Sequence, residues 1–183
     1  MMSFKQAFAA GGLMLLGIFG STLALADSGA AIDVSARDSL NSFYALDPTH
    51  KELAAKAAGM LVFPRITKGG VGIAGEHGEG LLLIGGKTVG YYSITAASVG
   101  LTIGVAQRSE IVMFMTQAAL DKFVQSKGWT VGAETGIAVV SKGAGGKYDS
   151  KTLQKPILGF VHGEKGLIGD LSLEGSKITK IDK

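Results

Sequence analysis

Glycine and large aliphatic residues alternate through the middle of this chain, and that pattern restricts the fold more than any other feature. Val99, Leu101, Ile103 and Val105 oppose Gly100, Thr102, Gly104 and Ala106; Val71 and Ile73 oppose Gly70, Gly72 and Ala74. A period of two belongs to β-strand, whose successive side chains point to opposite faces. A glycine-lined face lets a second layer of backbone come close, as in a tightly curved sheet or a small barrel. Leu81–Ile84, Ile111–Met115 and Ile157–Val161 are apolar on both faces and read as central strands covered on both sides. Turns are expected at Glu76–Gly80, Gly85–Lys87, His162–Gly166 and Glu174–Lys177.

Upstream, the period is helical. Ile32, Ala36, Leu40 and Phe43 form one apolar stripe, and Asp47-Pro48 ends that helix and starts a second as N-cap and first helical residue. Gly59 fits the stop of the second helix. An internal helix is expected after Thr116, with Leu120, Phe123 and Val124 on its apolar face and Gly128 at its end. Lys142 to Lys155 reads as a Gly/Lys/Ser loop. The fold class expected is α+β: a glycine-rich, mainly antiparallel curved or small barrel-like sheet with two N-terminal helices and one internal helix.

Residues 1–26 have the three-part pattern of a cleavable signal peptide: Lys5, an apolar run from Ala7 to Leu25, and Ala24-Leu25-Ala26 before Asp27. A single domain over residues 27–183 is expected to follow, periplasmic or secreted. There is no cysteine, which excludes a lipid-modified N-terminus, disulfides and thiolate metal sites. Losing Lys5 with the leader takes the formal charge from +3 to +2. So mild a charge argues against nucleic acid as a partner.

No motif supports catalysis or a cofactor. Gly70–Gly75 matches G-x-G-x-x-G, but another strand follows where the dinucleotide fold needs a helix. Gly85-Gly86-Lys87-Thr88 lacks the upstream glycine of a P-loop. No serine lies in a nucleophile elbow. His77 and His162 each sit in His-Gly-Glu; turn chemistry accounts for both, and their separation is unlike the close spacing of zinc motifs.

Two features concern membranes. The stripe of the first helix could lie in a bilayer interface or cover the sheet; Asp33 and Asp38 on its polar side favour the sheet. Lys142, Lys147, Lys151 and Lys155, with Asp149 as the one acid among them, read either as a solvated loop or as contacts for anionic headgroups.

A series of segments then points to a family. They are Gly59–Arg65 (GMLVFPR), Lys68–Gly80 (KGGVGIAGEHGEG), Gly90–Ser93, Ala97–Gly100, Phe114–Thr116, Ala119–Phe123 and Leu173–Gly175. In this order they closely resemble the SYLF lipid-binding domain family, from about Leu40 to the C-terminus. The resemblance implies a non-enzymatic domain that binds phosphoinositide or another anionic lipid of a membrane surface. Yeast and animal members also regulate actin, which an exported protein would not meet; the SH3 and FYVE modules of eukaryotic relatives are missing here. The lipid contacts that the resemblance implies are Lys51, Lys56, Arg65 and Lys68; Lys147, Lys151 and Lys155 of the lysine-rich loop are a second candidate set, read from its charge alone. The alternative is a structural or protein-interaction module of the cell envelope.

Overall fold

The computed structural model describes residues 27–126, 128–132, 135–140, 148–166 and 175–183, with backbone alone for 98–103 and 166. The predicted leader therefore lies outside the described residues. Helix α1 spans Gly29–Leu46 and α2 spans Pro48–Lys56. Ser28 caps α1 through the amide of Ala31; Asp47 caps α2 through Thr49, ahead of Pro48 in the first turn. Strands β1 (Gly59–Ile84) and β2 (Lys87–Phe114) follow, then α3 (Gln117–Gln125), β3 (Trp129–Thr130), β4 (Ile137–Val139), α4 (Ser150–Leu153), β5 (Ile157–Gly166) and β6 (Lys177–Ile181).

The long strand β2 organises the sheet. It pairs with β1 along one edge and with β5 and β6 along the other, all antiparallel. β3 extends the sheet beyond β6, and β4 adds in parallel beyond β5. The α+β reading and the mainly antiparallel curved sheet hold, with α4 as a fourth, short helix inside the segment expected to be a loop.

The strands are far longer than the turn signals suggested. Gly85 and Gly86, at φ 57° and 75°, make the β1–β2 turn as expected. Glu76–Gly80, expected to turn, continues β1, and His162–Gly166 continues β5. The glycines there serve close packing and bulging rather than reversal. The two halves of β1 fold back on each other: a Cβ at Gly80 would lie 2.2 Å from the Val62 carbonyl oxygen, and one at Gly78 would lie 2.7 Å from that of Arg65. At Gly70 a Cβ would meet the Ile73 carbonyl oxygen at 2.0 Å. This bend turns Ala74 inward and leaves Val71 and Ile73 exposed.

Two apolar clusters cover the two faces of the sheet. Leu61, Phe63, Leu82, Val112 and Phe114 point into the curl, where Leu120, Phe123 and Trp129 close it. Val62, Leu81, Leu83, Ile111 and Met113 point the other way, under α1 and α2. All four residues of the α1 stripe are buried there, so α1 packs on the sheet. Thr116 caps α3 as expected, but Val124 is exposed and the helix ends at Gln125, before Gly128.

Candidate functional site

The most irregular part of the sheet lies under the middle of α1. Phe63 pairs with Glu110 and Ile66 with Arg108, so β1 sets Pro64 and Arg65 against the single Ser109. On the other flank of β2, Gln107 pairs with Lys165 and Ser109 with His162, so β5 sets Gly163 and Glu164 against the single Arg108. Each is a bulge of two residues opposite one. Proline, which has no N–H for the ladder, is tolerated at such a point, and its carbonyl accepts from Ser109 Oγ at 2.8 Å. Gly163, at φ 68°, supplies the left-handed residue of the second bulge.

These bulges form the floor of a groove whose wall is α1. Ser35, Asp38, Ser39 and Ser42, at helical spacing, line it from above; Arg65, Gln107, Ser109, His162 and Lys165 line it from the sheet. This part of the groove has a volume of ≈ 500 Å³. A second part, ≈ 390 Å³, shares Ser35, Pro64, Arg65 and Gln107 and runs on to His77 and Glu79. Ser39 Oγ lies 3.3 Å from His162 Nε2. Burial, and secondly the charge of His50, holds the His162 imidazole below its usual pKa, favouring the neutral form.

Below the groove, inside the curl, four charged side chains form a chain. Lys68 Nζ is 3.1 Å from Glu76 Oε1, Glu76 Oε2 accepts from Arg108 Nη2 at 2.5 Å, and Arg108 Nε donates to Glu110 Oε1 at 2.7 Å. All four residues are buried, and Glu110 Oε2 has no hydrogen-bond partner among the described residues. Burial pushes the Glu110 carboxyl up to about 7, against the opposing pull of Arg108.

The predicted lipid contacts divide into three places. Lys68 is 4 % exposed and committed to Glu76, so it is not presented at the surface. Arg65 is exposed on the bulge and lines the groove. Lys51 and Lys56 are exposed on α2, and Lys151 and Lys155 are exposed on and just after α4. The two helices are joined: His50 on α2 bonds through Nε2 to the Tyr148 hydroxyl at 2.5 Å, two residues before α4, and through Nδ1 to the Phe43 carbonyl oxygen. The two lysine sets, separate in the sequence, thus lie on neighbouring elements. Lys147 lies outside the described residues.

Sequence reasoning missed the groove residues Ser35, Ser39, Ser42, Gln107 and Lys165. The one local signal was a polar stripe of serines beside the apolar stripe of α1. His77 is exposed in β1 and His162 buried in β5, and among the described residues no three His, Asp or Glu side chains are grouped to hold a metal ion. No helix among them is long and apolar enough to cross a membrane.

No curated protein matches the chain. Residues 95–183, which hold most of β2 and every later element, match the family described as Ysc84, Las17-binding protein actin regulator. Over these residues the chain is similar to the Ysc84, or SYLF, family.

Proposed function

We propose that this protein is a non-catalytic lipid-binding module of the cell envelope, exported by a cleaved leader and docking on anionic phospholipid headgroups. One arrangement carries the reading: Lys51, Lys56, Lys151 and Lys155 are all exposed, on α2 and on or just after α4, two helices tied by the His50–Tyr148 bond. Each basic residue held near an anionic bilayer contributes on the order of 1 kcal/mol, so four lysines suffice for reversible docking even though Glu52 and Asp149 offset part of their charge. The similarity of residues 95–183 to a family described as a partner-binding regulator supports a binding role over a catalytic one. The test is co-sedimentation with phosphatidylglycerol-containing vesicles against neutral phosphatidylcholine vesicles, at low and physiological salt. Binding that is indifferent to headgroup charge and to salt would refute the docking reading.

A second reading, a protein-interaction module, is favoured by a different observation. Val71, Ile73 and Val105 are 78 %, 67 % and 65 % exposed at the bend of the β1–β2 hairpin. Exposed aliphatic residues grouped in this way suit a protein partner, and such binding would resist salt.

A further inference from the structure

We propose that the groove between α1 and the paired bulges binds a phosphate monoester, with Arg65 and Lys165 as its cationic contacts and the serines of α1 as its hydrogen-bonding wall. The groove has the size of a small-molecule site. Its lining selects the ligand's character. Arg65 and Lys165 are exposed and form no ion pair among the described residues, whereas Asp38 is the one carboxylate along the larger part. The hydroxyls of Ser35 and Ser42 face them from the helix, beside the Ser39–His162 pair. An apolar ligand would strand these donors without partners. A guanidinium fork, an ammonium and hydroxyls on two walls match a dianion with three terminal oxygens.

The bulges are what bring the two cations to one place. The extra residue in β1 puts Arg65 outside the ladder, while the bulge in β5 sets Lys165 beside Gln107 on the other side of β2. Beneath them Arg108 is held by Glu76 and Glu110, so the floor of the site is fixed. The groove uses none of Lys51, Lys56, Lys151 and Lys155, so this site stands apart from membrane docking through α2 and α4. Its phosphate could come from a soluble metabolite or from a lipid headgroup that ends in a monoester.

Titration calorimetry of the purified protein with glycerol 3-phosphate, against glycerol as control, tests the site. The expected result is saturable binding to the phosphate ester alone. Arg65→Gln and Lys165→Gln each remove a charge-assisted contact and should weaken binding about tenfold or more. Asp38→Asn should strengthen it, and Lys122→Gln on α3 should leave it unchanged. Vesicles separate the two sources. If Arg65→Gln lowers partition onto phosphatidic acid vesicles but not onto phosphatidylglycerol vesicles, the monoester is a lipid headgroup. If Arg65→Gln lowers only glycerol 3-phosphate binding, the ligand is a soluble ester. Absence of saturable binding, or binding that ignores both Arg65→Gln and Lys165→Gln, would overturn the proposal. Such a failure would leave salt-dependent docking through α2 and α4 intact, and loss of that docking would leave ester binding intact.

Discussion

Arg108 and Glu76 meet at 2.5 Å across the interior of the curled hairpin, 32 residues apart in sequence, and tie its two halves together. Lys68 holds the other oxygen of Glu76, so one carboxylate neutralises two buried cations. Removing it would leave both without their shared partner, and breaking a buried ion pair from one side costs about 3–5 kcal/mol. Glu76→Ala should therefore be strongly destabilising in urea unfolding. Glu76→Gln should lose less, because its amide oxygen still accepts one bond. Equal stability of wild type and Glu76→Ala would mean that the cluster does not hold the curl.

Glu110 gives the same cluster a signed pH dependence. Its folded-state carboxyl titrates at about 7, above the ordinary 4.5, so between these values the folded protein binds more protons than the unfolded chain. Its contribution is fully present below pH 4.5 and is lost as pH rises through about 7, a fall of up to about 3 kcal/mol. His162 acts in the opposite sense: its lowered pKa makes stability fall as pH drops below the ordinary 6.5. The difference between wild type and Glu110→Gln isolates the glutamate. It should shift steadily in favour of the variant from pH 4.5 to 7. A difference that stays constant over this range would show that Glu110 titrates normally.

Packing makes a sharper prediction among the glycines of β1. Any side chain at Gly80 must displace the backbone of Val62, whereas a Cβ at Gly75 has nothing within 4 Å. Gly80→Ala should cost about 1–3 kcal/mol as an overpacked site, and Gly75→Ala should be nearly neutral. Thermal unfolding of the two variants compares them directly. Equal melting temperatures would contradict the close approach of the two halves of β1.

What was legible in the sequence was local. The α1 stripe, the Asp47-Pro48 boundary and the Thr116 cap depend on neighbours within a turn or two, and each is found where it was expected. The strand lengths were not legible, because glycine marks a turn and a close approach with the same letter; Gly85-Gly86 is the first and Gly80 the second. Arg65 and Lys68 show why the site was only partly readable. Both are basic and three residues apart, but the bulge at Pro64-Arg65 changes the parity of β1, so that Phe63, Ile66 and Lys68 are all buried while Arg65 is exposed. Parity after a bulge is set by pairing with β2, which no local pattern reveals. Ser39 and His162 meet for the same reason, across 123 residues.

Export makes its own prediction. Lys5, the apolar run and Ala24-Leu25-Ala26 set the expected cut between Ala26 and Asp27. The protein from the envelope fraction should have Asp27 as its first residue by intact mass. Retention of Met1 or Met2 in membranes would instead identify residues 1–26 as an anchor.

The final prediction concerns the two lysine sets, which the sequence offered as rival membrane faces. Because the His50–Tyr148 bond joins α2 to the start of α4, both sets should act on the same bilayer. Lys51→Glu with Lys56→Glu should weaken binding to phosphatidylglycerol vesicles by at least about tenfold, since each lysine near the surface contributes on the order of 1 kcal/mol. Lys151→Glu with Lys155→Glu should do the same, and the four changes together should weaken it further. The attraction is screened over about 8 Å at physiological salt, so wild-type binding should fall as salt is raised and the quadruple variant should respond little. Tyr148→Phe supplies a control of a different kind. It removes the hydroxyl that meets His50 without changing any charge, so a loss of binding there would report the relative placement of the two helices. If only one lysine pair matters, the two helices do not form one face. If neither matters while vesicle binding persists, the exposed aliphatic residues at Val71, Ile73 and Val105 become the surface to mutate next.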